Sequence, residues 1–293
     1  MRNHLIGAVA LLASTFAMLG VAEAAQVSTG DPEVVALVPQ SFKDRGTIRV
    51  LTDPTYPPLE SINGEGGMEG LDIDLMNAIA GEMGLSVDWQ TGTFDSIIPG
   101  LQADRFDAAI AGMYISNSKY DSITMIQYGQ ASDVVVVKPD YSGPALNNEF
   151  PDFCGVPLAV QSGSNNIDRI RSKSPKCVED GRGEMNLLTF QNANDALLAV
   201  NSGRAVGALV GSISANFQIK EAGVDLKIGG ADPRVFYNGI TVQKDSLELA
   251  RAISKALEAL KASGRYQAIL TKWNVAGFAV DEFPINPKVP DNE

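Results

Sequence analysis

Two stretches of the sequence repeat one pattern: LQADRFDAAIAGM at residues 101–113 and VNSGRAVGALVGS at residues 200–212. In each, the end of a helical segment leads through a turn with an arginine, Arg105 or Arg204, into an apolar run that ends near a glycine. A helix, a turn and a buried strand in this order form part of a parallel crossover unit. The repeat therefore predicts two α/β units of similar architecture.

Strands and helices alternate around the first stretch. Strands are expected at residues 47–53, 86–92 and 107–113, where short apolar runs are bounded by turn residues. Apolar residues recur at helical spacing between residues 75 and 83, and a shorter helix is expected at 95–103. This order predicts a parallel sheet with crossover helices.

The second half repeats that order and then returns to the first unit. Strands are expected at residues 157–163, 186–190 and 205–212, with helices between them. Residues 134–140, VVVVKPD, form an apolar strand that we expect to cross between the units. A strand at 239–245 and an amphipathic helix after it are expected to belong to the return.

We therefore expect a two-lobed α/β fold with mixed, mostly parallel sheets joined by a two-strand hinge. Residues 25–133 are expected to begin lobe I, residues 134–232 to form lobe II, and residues 233–293 to return to lobe I and end in a C-terminal tail. Ligands of such sheets bind beyond the carboxyl ends of the strands. The expected site is therefore a cleft between the lobes.

The first 24 residues have the pattern of a cleaved signal peptide. Arg2 precedes a long apolar run, and residues 22–24 form an A-x-A cleavage site. A transmembrane anchor is the alternative, but the small residues at the end of the run favour removal. Because no cysteine lies near the site, no lipoprotein anchor is expected. We predict a soluble, monomeric periplasmic protein.

The composition argues against several classes of function. The formal net charge is −12, which disfavours binding to nucleic acid or to anionic lipid. The only histidine, His4, lies in the predicted signal peptide. Histidine-based catalysis and histidine-ligated metal sites are therefore not expected in the mature chain, and no metal or cofactor is predicted.

The two cysteines, Cys154 and Cys177, form an even pair in a chain predicted to be exported. Such a pair predicts a disulfide, with two free buried thiols as the alternative. A redox role is not expected, because the spacing is far from the C-x-x-C of redox-active pairs.

Four segments together resemble a known family. They are IRVLTDPTYPPLE (48–60), GLDIDLMNAIAGEMGL (70–85), FDSIIPGLQADRFDAAIAGM (94–113) and SGRYQAILTKW (263–273). In this order they resemble the polar amino acid family of periplasmic solute-binding proteins, also called family 3 extracellular solute-binding proteins, over essentially the whole mature chain. The segment CGVPLAVQSGS (154–164) with a later Cys177 also resembles a branch that has a disulfide in lobe II.

The resemblance implies a function and several binding residues. Two lobes would close over one small solute, and the closed form would dock on an inner-membrane ABC permease. Tyr56 and Phe94 match aromatic residues that sandwich the ligand, with ordinary core packing as the alternative. Asp53 matches an acid that meets a ligand cation, although a capping role in the turn is also consistent. By the same match, a helix start presents backbone N–H groups to an anion at Gly163, Ser164 and Asn165.

The residues with which relatives bind the carboxylate and the ammonium group of an α-amino acid are both altered in this sequence. The clamp loop after the third strand reads Gly112, Met113, Tyr114, Ser116 and Lys119 at the matching positions. Tyr114 replaces a small residue, and Lys119 replaces an arginine whose fork would bind a carboxylate. In lobe II, Gly211 followed by Ser212 stands where relatives have an aspartate for the ammonium group.

We therefore expect an amino acid or an amino-acid-related small polar solute, with most of the twenty standard amino acids binding weakly or not at all. An amino acid derivative, an opine-like conjugate, an amine and a guanidino compound all stay open. An exported, dehydratase-like enzyme on the same scaffold is the alternative, with Glu60, Asp72 and Asp95 as acid–base candidates. A sensor module of a membrane receptor is disfavoured, because no apolar span follows Trp273.

Overall fold

A computed structural model describes residues 30–143 and 153–290 of the chain. The predicted signal peptide, residues 1–24, lies outside the described residues. Within those ranges, no helix combines the length and the apolar character that crossing a membrane requires.

The first part of the described chain alternates between strands and helices, and its strands belong to one large sheet and one small three-stranded sheet. Its elements are, in chain order, α1 (Pro32–Leu37), α2 (Gln40–Arg45), β1 (Thr47–Thr52), β2 (Thr55–Tyr56), β3 (Glu60–Ile62), β4 (Met68–Glu69), α3 (Leu71–Glu82), β5 (Ser86–Thr91), α4 (Ile97–Gln102), β6 (Ala108–Ala109) and β7 (Ile123–Ala131). A single-turn 3₁₀ helix at Phe94–Ser96 precedes α4, and another at Asn117–Lys119 precedes β7.

The second part builds another sheet, after which the chain returns to the first. Its elements are β8 (Asp133–Val137), β9 (Pro157–Gln161), α5 (Asn165–Glu179), β10 (Asn186–Phe190), α6 (Ala193–Asn201), β11 (Gly207–Gly211), α7 (Ser212–Lys220), β12 (Lys227–Ala231), β13 (Phe236–Gln243), α8 (Leu247–Ala262) and α9 (Arg265–Lys272). A last 3₁₀ turn lies at Ala276–Phe278.

The two large sheets have the same plan. The first has the order β5-β1-β6-β13-β7, in which β1 is parallel to β5 and β6 while β13 is antiparallel to β6 and β7. The second has the order β10-β9-β11-β8-β12, in which β9 is parallel to β10 and β11 while β8 is antiparallel to β11 and β12. The reversed strand of each sheet is the one that enters from the other lobe. The predicted two-lobed α/β fold with mixed sheets is confirmed.

The strand predicted at residues 107–113 is much shorter than expected. It pairs only at Ala108–Ala109. Beyond that point the pairing is irregular, and side chains are the partners of the Gly112 backbone: the Gly112 N–H donates to Asp72 Oδ2 at 3.1 Å, and the Gly112 carbonyl accepts from Asn238 Nδ2 at 2.7 Å. Gly112 has a φ of 61°, which a residue with a side chain adopts only at a cost.

The chain crosses between the lobes earlier than predicted. Strand β7 belongs to the first sheet and β8 to the second, and Ser132 alone separates them. The prediction that residues 134–140 cross is therefore wrong, because this segment begins inside the second sheet. The prediction also lacks β7, whose buried Thr124 and Gln127 interrupt the apolar pattern. The lobe boundaries drawn in the sequence stay predictions.

Both sheets are buried on two faces, as crossover helices require. In β8, Val134 and Val136 pack into one apolar cluster and Val135 and Val137 into another, because successive side chains of a strand point to opposite faces. In the first lobe, α3 and α8 pack against the sheet through a cluster that includes the fully buried Leu75.

Arg169 of α5 ties together the two chain segments that connect the lobes. Its Nη2 donates to Asp133 Oδ2 at the start of β8, and its Nη1 donates to Asp232 Oδ2 just after β12, both at 2.9 Å. Asp232 also pairs with Arg234 at 2.7 Å. The side chains of Arg169, Asp133 and Asp232 are 4%, 1% and 1% exposed. Two carboxylates are thus held out of water by one shared guanidinium, which lies 5.0 Å from the ring centre of Phe236.

The predicted disulfide between Cys154 and Cys177 is confirmed, with Cα atoms 5.3 Å apart. It ties the segment before β9 to the C-terminal half of α5, where Cys177 is fully buried.

Removing the disulfide is expected to destabilise the second lobe. The bond closes a loop between residues 23 positions apart, and the chain-entropy model gives about 3 kcal/mol for such a loop. The double variant Cys154→Ala, Cys177→Ala should unfold at a lower urea concentration than the wild type. Dithiothreitol should lower the wild-type midpoint and leave the variant's unchanged. Equal midpoints without reductant would contradict the expected contribution.

Arg169→Met is expected to cost about 3–5 kcal/mol of unfolding free energy, because it leaves Asp133 and Asp232 buried without their shared cation. The measurement is urea unfolding followed by far-UV circular dichroism. The matched control is Lys176→Met on the same helix, which removes an exposed pair with Asp180 and should change stability by less than about 1 kcal/mol. A similar loss in both variants would show that the buried network has no special weight.

Candidate functional site

A cavity of about 50 Å³ lies between the lobes, beyond the carboxyl ends of parallel strands from both sheets. Its walls combine residues of the two lobes, and they are Asp53, Tyr56, Glu60, Phe94, Ala111, Gly112, Tyr114, Asp133, Gln161, Ser164, Asn165, Asn166, Ala193, Leu209, Val210 and Gly211. Ordinary small-molecule sites are larger, at roughly 300–1,000 Å³. A solute the size of an amino acid therefore fits only when the lobes stand further apart.

Asp53 follows β1 directly and is 5% exposed. Its Oδ1 accepts from Thr55 Oγ1 at 2.7 Å, and its Oδ2 accepts from the Phe94 N–H at 3.0 Å. Burial raises the pKa of Asp53, while these two hydrogen bonds act in the opposite direction. Asp53 thus has the turn-capping contacts considered in the sequence and also forms part of the cavity wall.

Tyr56 and Phe94 both line the cavity, from β2 and from the 3₁₀ turn before α4. The Tyr56 hydroxyl accepts from the Gly211 N–H of the second lobe at 3.1 Å. Phe94 is only partly buried and packs at the edge of an apolar cluster of the first lobe. Both aromatic residues therefore lie where a ligand between the lobes would meet them.

Tyr114 and Asp133 form the wall next to the hinge. The Tyr114 hydroxyl donates to Asp133 Oδ1 at 3.1 Å, and its ring stacks on Phe236 with centroids 5.1 Å apart. Burial raises the pKa of Asp133, while the guanidinium of Arg169 acts in the opposite direction. Asp133 therefore links the hinge network to the cavity.

Glu60 and Asp72 form a pair of buried acids at the first lobe's side of the cavity, and only Glu60 lines it. Asp72 Oδ2 accepts from the Tyr128 hydroxyl at 2.9 Å and from the Gly112 N–H at 3.1 Å. Burial raises the pKa of Asp72 to about 6 and, together with the charge of Asp72, raises the pKa of Glu60 well above its usual range.

Lys119 lies at the edge of the cleft and joins the two lobes. Its ammonium donates to the side-chain oxygen of Asn165, and it reaches the Tyr114 carbonyl at 3.4 Å. Burial lowers the pKa of Lys119 to about 8, against the opposing effect of Asp168. Lys119 is not among the residues that line the cavity.

Glycines allow the lobes to touch at two points. A Cβ atom on Gly211 would lie 2.4 Å from the Tyr56 hydroxyl oxygen, and one on Gly163 would lie 3.0 Å from the Asp95 Cα. Any side chain at residue 211 would therefore displace Tyr56 in this arrangement. This contact explains in physical terms why a glycine, instead of an acid, suits this position.

The remaining predicted site residues lie outside the cavity. Met113 is 3% exposed in an apolar cluster of the first lobe. The Ser116 hydroxyl contacts the Ser118 hydroxyl at 2.9 Å. Ser212 lines a separate open groove of about 670 Å³, and its N–H donates to the Ser132 carbonyl at 2.7 Å in the crossing segment.

Sequence reasoning missed several wall residues and assigned one to a different role. Asp133 carried a usable signal, since it is a single acid directly before the apolar run at residues 134–137. Gln161 and Asn166 carried none, because polar residues at strand ends and helix starts are common. Glu60, predicted only as an acid–base candidate, is one of the wall residues. Asp95, another acid–base candidate, does not line the cavity and accepts a hydrogen bond from the Ser162 hydroxyl of the other lobe at 3.0 Å.

Acids dominate the ionisable groups of the cavity wall, although Asp133 is already paired with Arg169. Asp53, Glu60 and Asp133 bring three carboxyl groups, and none of the wall residues is a lysine or an arginine. Within the described ranges no group of three or more histidine, cysteine or acidic residues is arranged to hold a metal ion. Aromatic faces and buried carboxylates are the groups that stabilise an organic cation.

Comparisons with known proteins agree with this architecture. Residues 48–276 match the family described as bacterial extracellular solute-binding proteins, family 3. The ABC transporter arginine-binding protein 1 of Escherichia coli strain K12 is 29% identical over 228 residues, which are 75% of this chain and 87% of that protein.

Two solved structures share the fold. An ancestral arginine-binding protein bound to arginine is 32% identical with a TM-score of 0.69, over 78% of this chain and 98% of that chain. An ancestral amino acid-binding protein, a precursor of cyclohexadienyl dehydratase, is 28% identical with a TM-score of 0.67, over 81% of this chain and 99% of that chain. With its two lobes and the family match over most of its length, the chain belongs to the family 3 bacterial extracellular solute-binding proteins.

Proposed function

We propose that this protein is the receptor of an ABC importer and that it captures a small organic cation, an amine or a guanidino compound related to amino acids. The observation that carries this proposal is the acidic cavity, with three carboxyl groups and no basic residue in its walls. A buried cation without a partner is costly, and a carboxylate within contact distance removes most of that cost.

Aromatic residues support the same choice of ligand. Tyr56, Phe94 and Tyr114 line the cavity beside the acids. A cation over an aromatic face gains about 0.5–2 kcal/mol, and more of this is kept when water is excluded. The names of two similar proteins support a cationic ligand, because both are named for arginine, whose side chain ends in a guanidinium.

The cleft offers fewer groups to bind a ligand's carboxylate than to bind a ligand's cation. Lys119 is engaged with Asn165 across the lobes, and a lysine offers no bidentate fork. Backbone N–H groups at the start of α5 are the other candidates for a carboxylate. We therefore expect neutral and acidic amino acids to bind weakly, and amines or guanidino compounds without an α-carboxylate to bind at least as well as arginine or lysine.

Binding would require the lobes to part and close again. Besides the Lys119 contact, Asn194 Nδ2 donates to the Thr55 carbonyl at 2.9 Å, and the Gly211 N–H donates to the Tyr56 hydroxyl at 3.1 Å. Each of these contacts is a single hydrogen bond, worth about 1 kcal/mol. They can be exchanged for ligand contacts at small net cost, with hinge motion at the two crossing segments.

We infer that the protein acts in the periplasm as a monomer and delivers its solute to an inner-membrane permease. The predicted signal peptide and the family's description as extracellular solute-binding proteins support this placement. No nucleic acid partner is expected for a chain with a net charge of −12.

An exported enzyme on this scaffold is the second candidate. Glu60, a buried carboxyl in the cavity wall with a raised pKa, has the character of a general acid. One solved neighbour is a precursor of a dehydratase. Prolonged incubation of the protein with a bound solute, followed by mass spectrometry, distinguishes the two: a receptor returns the solute unchanged, and an enzyme converts it.

Cationic solutes are expected to raise the melting temperature, because a ligand at one hundred times its dissociation constant adds about 2.7 kcal/mol of stability. For a chain of this size the shift should be roughly 5–10 °C. The thermal scan should compare arginine with agmatine and lysine with cadaverine, pairs that differ only in the α-carboxylate. A shift with glutamate or leucine, and none with any of these four, would contradict the proposed ligand class.

Phe94→Ala and Tyr56→Ala are each expected to weaken binding of the best such cation by more than about 1 kcal/mol, as aromatic anchors do. Isothermal titration calorimetry measures the loss. Phe42→Ala is the matched control, since Phe42 is a partly buried aromatic residue of the first lobe outside the cavity. If both cavity variants keep the wild-type affinity, the two side chains serve packing alone.

A further inference from the structure

Glu60 is an acid that the fold buries without an ordinary partner. It lies on β3, is 0% exposed and forms part of the cavity wall. Neither of its carboxyl oxygens accepts a hydrogen bond from an N–H group or a hydroxyl of the described chain. A buried carboxyl left in this condition is destabilising, and groups of this kind are retained where a ligand or a proton completes them.

The groups that face Glu60 are all acids or phenols. They are Asp72 of α3, Asp53 after β1, Tyr56 of β2 and Tyr128 of β7. No lysine or arginine of the described residues stands among them. Burial and the charge of Asp72 both disfavour ionisation of Glu60, so the two acids are not expected to be ionised together at low cost.

The two acids differ in how readily they ionise. Asp72 already receives hydrogen bonds from the Tyr128 hydroxyl and the Gly112 N–H, which stabilise its charged form. Glu60 has no such donors, and burial and the charge of Asp72 raise its pKa well above the usual range. Of the two acids, Glu60 in the cavity wall therefore keeps its proton to higher pH, and Asp72 ionises first.

We propose that Glu60 is the cation-accepting group of the cavity and releases its proton to solvent when the ligand cation binds. This inference rests on the proposed function. The Glu60 carboxyl and the ligand ammonium or guanidinium become a carboxylate–cation pair, and one H⁺ passes to water or buffer, so charge and atoms balance. The cavity then exchanges a proton for an organic cation, and its net charge is the same before and after capture.

Proton release makes the affinity depend on pH. Below the pKa of Glu60 in the ligand-free protein, each unit of pH should raise the binding constant by up to about tenfold, since one proton leaves per ligand. Above that pKa the affinity should be level. A cavity whose acids are already ionised would show no such slope.

The test is isothermal titration calorimetry of the full mature chain with agmatine and with arginine, at pH 7 in phosphate and in Tris. These buffers differ in ionisation enthalpy, so the difference in observed heat gives the number of protons released. We expect a release of between about one half and one proton per ligand. A release of zero with intact binding overturns the inference and leaves the proposed function standing.

Two variants test whether the proton released on binding comes from Glu60. Glu60→Gln keeps the shape of the side chain, and it should abolish proton release and weaken binding by about tenfold or more. Glu69→Gln on β4, the strand that pairs with β3, is the matched control, because Glu69 is exposed and should change neither quantity. Unchanged proton release in Glu60→Gln overturns the inference.

The wild type decides the question if Glu60→Gln does not fold. The dissociation constant of agmatine, measured from pH 5.5 to pH 8.5, should then show the predicted slope, and a level profile overturns the inference. Failure of both agmatine and arginine to bind at any pH rejects the proposed ligand class, and the inference about Glu60 falls with it.

Discussion

The guanidinium of Arg169 lies where both connections between the lobes pass, and it holds an acid of each connection out of water. Without it Asp133 would be a buried carboxylate with no cation, and Asp232 would keep only its pair with Arg234. The position of the hinge, and through Asp133 the wall of the cavity, therefore depend on one side chain of the second lobe. The pairing also fixes Tyr114, whose hydroxyl and ring contact Asp133 and Phe236.

One carboxylate, Asp133, belongs both to the cavity wall and to the ion-pair network at the hinge. One of its carboxyl oxygens accepts a hydrogen bond from Arg169, and the other accepts one from the Tyr114 hydroxyl. Glu60 and Asp53 supply further acid from the first lobe, so a cation entering the cleft meets carboxyl groups from the hinge and from the opposite wall. Closure of the lobes on a cation would strengthen these attractions, since excluding water lowers the effective dielectric constant.

Local patterns predicted most of the fold. Helix α8 and strands β1, β9 and β10 follow from apolar spacing and turn residues, and the repeat around Arg105 and Arg204 predicted two similar lobes. The crossing strand was misplaced and β7 was missed, because polar residues buried by distant partners look like surface residues in sequence.

The predicted site residues also fall into two groups, those that line the cavity and those that do not. Tyr56 and Phe94 line the cavity, whereas Met113 and Ser212 point elsewhere, since the orientation of a loop depends on contacts such as that between Gly112 and Asp72. Asp133 matters only because Arg169 reaches it from 36 residues away.

The order of strands in the first sheet has a consequence for how the chain matures. Strand β13 lies between β6 and β7, yet its residues, Phe236–Gln243, come after the entire second lobe. The second sheet, by contrast, is built from a continuous segment of the chain. As the polypeptide emerges during synthesis or export, the second lobe can complete itself while β7 still lacks its neighbour and presents an open edge. A chain that ends before residue 236 therefore contains one whole lobe and one that cannot close.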